Sequence, residues 1–282
     1  MFDHILVPID GSSDSWIALE QAIEIAQEEN GMIHGLFVAD TRIIKAPYWA
    51  DAPLDKANPE VDSVKTQTAL KVGELVSDRG QEILEELDER CVKANICSTT
   101  EYAEGVADRI ILDRAHRSDL VVLGRHGEGR RWAGPQLGST FETVVRHASA
   151  PVLATQAEPR RISRIVIAYD GSSSADDAMQ VIANFAHRHS TDVVLLTVDD
   201  DRLGRRHDFT KAKQWLAHHD LTGKVFFREG HASEVILNTA REEDCDLIVL
   251  GAYGHSHFIE TFFGSTVDEV VHRAICPVLI CR

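Results

Sequence analysis

The sequence predicts an α/β fold, namely two tandem open parallel five-stranded sheets, each with helices on both faces. Three observations carry that prediction. At 282 residues the chain lies at the upper limit for one hydrophobic core, so two domains of ordinary size fit it better. Short apolar runs alternate with segments of helical length and period. The whole order of motifs then occurs twice.

The repeat is visible residue by residue. The run from His4 to Ser13 (HILVPIDGSS) is echoed from Arg164 to Ser173 (RIVIAYDGSS), 160 residues later. Asp119 to Gly124 (DLVVLG) matches Asp246 to Gly251 (DLIVLG), Gly138-Ser139-Thr140 matches Gly264-Ser265-Thr266, and Ala150-Pro151 matches Cys276-Pro277. Val38 and Val198 still differ by 160, whereas Gly124 and Gly251 differ by 127, so the first copy carries 33 extra residues between Val38 and Gly124.

Each element follows from its residues. In the first copy an apolar run ends at Asp10, a helix follows, and a second apolar run closes at Val38. The enlargement holds Pro47, Tyr48, Trp49, Pro53 and Pro59, read as an irregular excursion, and then a periodic segment from about Val61 to Arg90, read as a lengthened helix. In the second copy strands are expected at Ile165–Tyr169, Val193–Val198, Val225–Arg228, Leu247–Leu250 and Val278–Cys281. Helices are expected at Ala175–His189, Phe209–His219, Ala232–Glu243 and Thr266–Ala274. Runs that are apolar on both faces and alternate with helices belong to a parallel sheet covered on both sides. The domains are expected at residues 1–157 and 158–282, joined through the short polar segment Gln156–Ser163.

Composition narrows the function. A 44% hydrophobic and 26% charged chain can bury a core and is not a disordered polyanion. The formal net charge of -16 argues against general nucleic-acid binding and against anionic membranes, both of which need clustered Lys and Arg. The excess lies mostly in residues 1–158, with 15 basic and 27 acidic side chains, against 14 and 18 in residues 159–282. Nothing in the sequence reads as a membrane span or a secretory leader, so a cytoplasmic location is expected. The five cysteines, Cys91, Cys97, Cys245, Cys276 and Cys281, form no C-x-x-C pair and read as reduced, mostly buried residues.

In an open parallel sheet, ligands bind beyond the carboxyl ends of the strands, where the winding direction switches. The candidate polar residues fall there in both copies: Asp10 and Asp170 after the first strand, Val38 and Val198 at the end of the second, and a glycine segment after the fourth. Two close glycines allow a sharp turn and close backbone approach, and a helix opening on Gly-Ser-Thr presents N–H groups and two hydroxyls to an anion such as phosphate. Turn formation and ordinary helix capping account for the same residues equally well at this level.

Taken as a set, these motifs resemble the ATP-binding kind of universal stress protein domain, whose signature G-x2-G-x9-G-(S/T) is met by Gly251, Gly254, Gly264 and Ser265. The first half resembles the same family but has ten residues between Gly127 and Gly138. The resemblance covers nearly the whole chain and implies a Rossmann-like fold of the adenine nucleotide alpha hydrolase type. It also implies an adenine nucleotide, with ATP as the ligand and magnesium as its companion ion. On that basis Asp170 and Asp10 would lie near the ribose and phosphates, Asp170 also being the natural metal ligand, and Val198 and Val38 would meet adenine through their backbone. The phosphates would lie against Gly251, Gly254, Gly264, Ser265 and Thr266, or against Gly124, Gly127, Gly138, Ser139 and Thr140. The family's usual assembly further implies that the last strands of the two halves pair, that a homodimer is open to the chain, and that an unnamed signalling partner receives its output.

The copies differ in charge. Between Gly251 and Gly264 there is no Lys or Arg, only His255 and His257, whereas the first loop carries Arg125, Arg130 and Arg131. Backbone spacing therefore favours the second half for ATP and charge favours the first. The pairs His187/His189 and His218/His219 lack a third ligand at a recognised spacing and read as helix-surface residues, and Asp199-Asp200-Asp201 reads as a solvated loop. With no G-x-x-x-x-G-K-(S/T) motif, little or no turnover of ATP is expected. The competing reading is a nucleotide-free dimerisation scaffold.

Overall fold

The computed structural model describes residues 2–42, 59–127 (59–70 as backbone alone), 137–156, 158–199, 214–219, 221, 223–252 and 264–282. The first half runs β1 (His4–Pro8), α1 (Ser13–Glu29), β2 (Met32–Asp40), α2 (Pro59–Lys93), β3 (Ser98–Gly105), α3 (Ala107–Ala115), β4 (Leu120–Leu123), α4 (Ser139–His147) and β5 (Val152–Ala154). The second runs β6 (Arg164–Ala168), α5 (Ser173–His189), β7 (Asp192–Asp199), β8 (Gly223–Glu229), α6 (Ala232–Glu242), β9 (Leu247–Gly251), α7 (Ser265–Arg273) and β10 (Val278–Cys281). Residues 214–218 are helical ahead of β8, and the rest of the helix expected from Phe209 lies outside the described residues, as does the excursion around Tyr48 and Trp49.

Local chemistry explains the repeated elements. Ser12 and Ser172 cap α1 and α5 by accepting the amides of Ser15 and Ala175, each at 3.2 Å. Both helices end 160 residues apart on a left-handed residue, Asn30 (φ 55°) and Ser190 (φ 51°). The repeated Asp119 and Asp246 open the first strands: Asp119 accepts the amides of Asp3 and His4, and Asp246 those of Ser163 and Arg164.

The strand order β3-β2-β1-β4-β5-β10-β9-β6-β7-β8 makes one ten-stranded sheet. Every pair within a half is parallel, and the halves join through the antiparallel pair β5–β10, with Leu153 opposite Leu279. Ile5, Leu6 and Val7 are fully buried, as expected for strands sandwiched on both faces. One face packs against α1, α2 and α5 through Leu19, Leu87 and Phe185. The other packs against α3, α4, α6 and α7 through Ile111, Phe141, Ile236 and Val270. In each half the winding direction switches between the first and fourth strands, so β1/β4 and β6/β9 open a crevice at their carboxyl ends.

The lengthened helix is α2, at 35 residues. It lies on β2 and β3, where Gly80 admits the stacked Phe37 and Tyr102 rings (centroids 5.9 Å apart) and Gly35 admits Leu87. No helix among the described residues is long and apolar enough to cross a membrane. Four of the five cysteines are buried as the sequence suggested, while Cys97 is exposed at the lip of β3.

Candidate functional site

The described residues singled out by the sequence lie at strand ends, in turns or at helix starts. Asp10 and Asp170 sit one turn beyond β1 and β6, and one carboxylate oxygen of each is used locally. Asp10 Oδ1 accepts the Ser12 amide at 2.9 Å, while Asp170 Oδ1 accepts the Ser172 amide at 3.0 Å and the Ser172 hydroxyl at 2.5 Å. These bonds hold Gly11 and Gly171 at φ 83° and 79°, a conformation that favours glycine. The strand-end acids therefore have a structural task in addition to any ligand.

Val38 and Val198 present their backbone to the crevice. The Leu36 carbonyl accepts the Ile9 amide at 2.9 Å, and the Leu196 carbonyl accepts the Tyr169 amide at 2.8 Å. Strand alternation then aims the N–H and C=O of the residues two further on, Val38 and Val198, into the space beyond the ends of β1 and β6. A donor and an acceptor side by side on one strand edge can read the edge of a planar base.

The glycines mark the closest backbone approaches. A Cβ on Gly124 would lie 2.6 Å from the Asp14 carbonyl carbon, and one on Gly251 would lie 2.5 Å from the Ala175 nitrogen, so β4 and β9 end directly against the first turns of α1 and α5. Gly127 stands against Asp10, where a Cβ would come within 2.8 Å of Oδ2. Gly138 donates its amide to the Arg125 carbonyl at 3.0 Å and is the N-cap of α4, ahead of Ser139 and Thr140. Gly264 caps α7 ahead of Ser265 and Thr266, with no described atom within 4 Å of its Cβ position. Gly254, His255, His257, Arg130, Arg131, Asp200 and Asp201 lie outside the described residues.

Three side chains depart from the sequence reading. Arg125, counted as a cation for the first loop, donates to the Val271 and His272 carbonyls at the end of α7. His189, read as a surface residue, is half-enclosed between the halves against Glu29. Asp199 ends β7 rather than starting a solvated loop, and its Oδ1, like the hydroxyl of the fully buried Thr197, has no hydrogen-bond partner among the described residues. Sequence reasoning passed over Thr197; the signal was there in the exchange of Phe37 for Thr197 and Ala39 for Asp199 between the copies.

Around the rim of the first crevice, Arg42 pairs with Asp40 and Asp108. Burial opposes ionisation of Asp40, but the Arg42 guanidinium and the amides of Arg42 and Ala107 outweigh it and hold the carboxyl below its ordinary range. His126, directly before Gly127, is tied to Asp14 at 2.9 Å.

The sequence profile of the universal stress protein family matches the chain twice, over residues 1–156 and 161–282. The chain belongs to that family. Among universal stress proteins, Slr1230 of Synechocystis is 24% identical over 291 residues and is covered over 99% of its length by 99% of this chain. Rv1996 of Mycobacterium tuberculosis is 24% identical over 304 residues, spanning 99% of this chain and 94% of its own. A crystal structure of a universal stress protein from Archaeoglobus fulgidus matches with a TM-score of 0.77 at 19% identity, covering 99% of this chain and 96% of that one. At that identity the likeness speaks for the tandem fold of this universal stress protein and for nothing finer.

Proposed function

We propose that this universal stress protein is an ATP-binding regulatory protein of the stress response with little or no catalytic turnover, its nucleotide held in the second half at the β6/β9 crevice. The observation that carries the reading is the placement at that end of the sheet of four features: the Asp170 turn, the strand-end backbone of Val198, the close approach of Gly251 to α5, and the start of α7 at Gly264-Ser265-Thr266. Adenine would pair with the Val198 edge, and the phosphates would lie over the α7 N-terminus, where amides and hydroxyls donate and the helix dipole favours an anion. Among the described residues no group of three His, Cys, Asp or Glu stands ready to hold a metal alone. A magnesium ion would therefore arrive with the phosphates and share the Asp170 carboxylate.

The first half retains Asp10, Val38, Gly124, Gly127, Gly138, Ser139 and Thr140 in the same places, but its loop packs onto Asp10 through Gly127 and its Arg125 serves the other half. That observation supports the second reading for this half alone, a scaffold joined through β5 and β10. The test is mass spectrometry of nucleotide released on denaturing the purified protein, with ATP calorimetry on Gly254→Val and Gly264→Val. Released ATP and weakened binding in the variants are expected. Unchanged affinity in both variants overturns the second-half site, and an empty protein that takes up no ATP supports the scaffold.

A further inference from the structure

The residue after Gly124 touches both phosphate helices. The Arg125 carbonyl accepts the amide of Gly138, the N-cap of α4, at 3.0 Å. Its guanidinium Nη1 donates to the carbonyls of Val271, at 3.0 Å, and His272, at 3.3 Å. Those carbonyls lie in the last turn of α7, where the helix leaves acceptors unsatisfied and its dipole favours a cation. The other end of the same helix, about 10 Å along its axis, is Ser265. Arg125 is in turn anchored by Gly124, which is pressed on the backbone of Asp14.

Among the described residues the link exists in one copy. Gly124-Arg125-His126-Gly127 corresponds to Gly251-Ala252-Tyr253-Gly254, and Ala252 has no side chain able to reach the end of α4. Instead its amide donates to the Cys281 carbonyl of its own half at 2.6 Å. Duplication followed by divergence has thus left this position with a guanidinium in the first half and a methyl in the second.

We propose that Arg125 is a positioning residue for the second half's phosphate helix, supplied by the first half, and that it couples the two switch-point loops. This rests on the nucleotide reading given above. A short helix moves as a unit, so a grip on its last carbonyls sets where its first amides stand. A ligand that reorders the Gly124–Gly127 loop or the Gly138 cap pulls on that grip, and by linkage the second site acts back on the first.

The test combines two measurements on the full chain. In ATP calorimetry, Arg125→Ala is expected to weaken the second site by about fivefold or more, with Arg125→Lys recovering part of the loss. In a Gly264→Val background, which crowds the start of α7 without a clash against any described atom, Arg125→Ala is expected to change nothing further. Arg125→Gln, with a shorter reach and one amide donor, replaces Arg125→Ala if the latter does not fold. Unchanged affinity in the alanine variant overturns the proposal. So does a loss that persists with Gly264→Val, since Arg125 would then be a direct ligand of the first site. In hydrogen exchange on the ligand-free protein, the amides of Asp268 to Val271 should exchange faster in Arg125→Ala. Unchanged exchange there overturns the positioning role whether or not ATP binds, whereas a wild-type protein that binds no ATP overturns only the nucleotide reading.

Discussion

The Glu29 carboxylate, at the end of α1, accepts a hydrogen bond at 2.5 Å from the imidazole of His189, at the end of α5. The two positions are 160 residues apart and equivalent in the two copies, so they meet where the internal two-fold relation brings each half against itself. Two identical residues would have repelled or left each other unsatisfied at that point. The Glu/His pair, joined by Arg188 at 3.2 Å, resolves the conflict.

Removing one partner exposes what the pair contributes. Burial disfavours the Glu29 carboxylate, yet the His189 hydrogen bond and neighbouring positive charge outweigh it and lower its pKa below the ordinary 4.5. A group depressed in this way stabilises the fold above its unfolded pKa, and that stability is lost as pH falls through the lower folded value. Urea unfolding between pH 3 and 6 should show stability falling below about pH 4.5, and Glu29→Gln should flatten that slope. His189→Ala, which removes one partner of the buried carboxylate and leaves Arg188 beside it, should lose about 1 kcal/mol at pH 7.

Two glycines of α2 should respond oppositely to alanine. At Gly73 no described atom lies within 4 Å of the Cβ position, so helix propensity decides and Gly73→Ala should stabilise by about 0.5–1 kcal/mol. At Gly80 the methyl would meet the Phe37 ring at 2.7 Å, and Gly80→Ala should destabilise by about 1–3 kcal/mol. Chemical denaturation of the two variants side by side checks the sign.

The switch-point glycines should be intolerant of any side chain. In Gly251→Ala the new methyl meets the Ala175 nitrogen at 2.5 Å, and in Gly124→Ala it meets the Asp14 carbonyl carbon at 2.6 Å; backbone cannot swing away as a flexible side chain can. Each should destabilise by about 1–3 kcal/mol, measurable as a lowered melting temperature. Gly264→Ala, with no described neighbour to strike, should leave the melting temperature close to wild type.

Thiol labelling should be selective. Burial pushes the Cys245 thiol up to about 12, Cys276 to about 11 and Cys281 to about 12, whereas Cys97 is exposed. Brief treatment of the native protein with a maleimide at pH 8, read by peptide mass spectrometry, should modify Cys97 and spare those three until the chain is unfolded. Labelling of Cys245 or Cys281 in the folded protein would contradict this packing.

Much of the architecture was legible in the residues. The β9 run and the helix from Ala232 fall within a residue or so of where apolar period placed them, because burial on both faces writes itself into consecutive side chains. That Val198 and Gly251 lie at or next to strand ends and Gly264 at a helix start was legible too, since in a parallel sheet strand ends carry the turns. What misled was charge. Arg125 looked available to an anion in its own loop, and nothing local reveals that its reach ends on a helix 146 residues away. His189 likewise read as solvated because its partner is 160 residues distant.

By itself, the sequence determined that one α/β unit occurs twice, where its strands end, and which turns carry glycine and hydroxyl donors, because periodicity and turn chemistry act over a few neighbouring residues. The tertiary structure alone decided that β5 and β10 merge two sheets into one, that Glu29 meets its own counterpart at position 189, and that the Arg125 guanidinium reaches from one half to the last turn of α7 in the other. Those contacts depend on how two packed halves face each other, a geometry set by the joint burial of both cores rather than by any segment's local pattern.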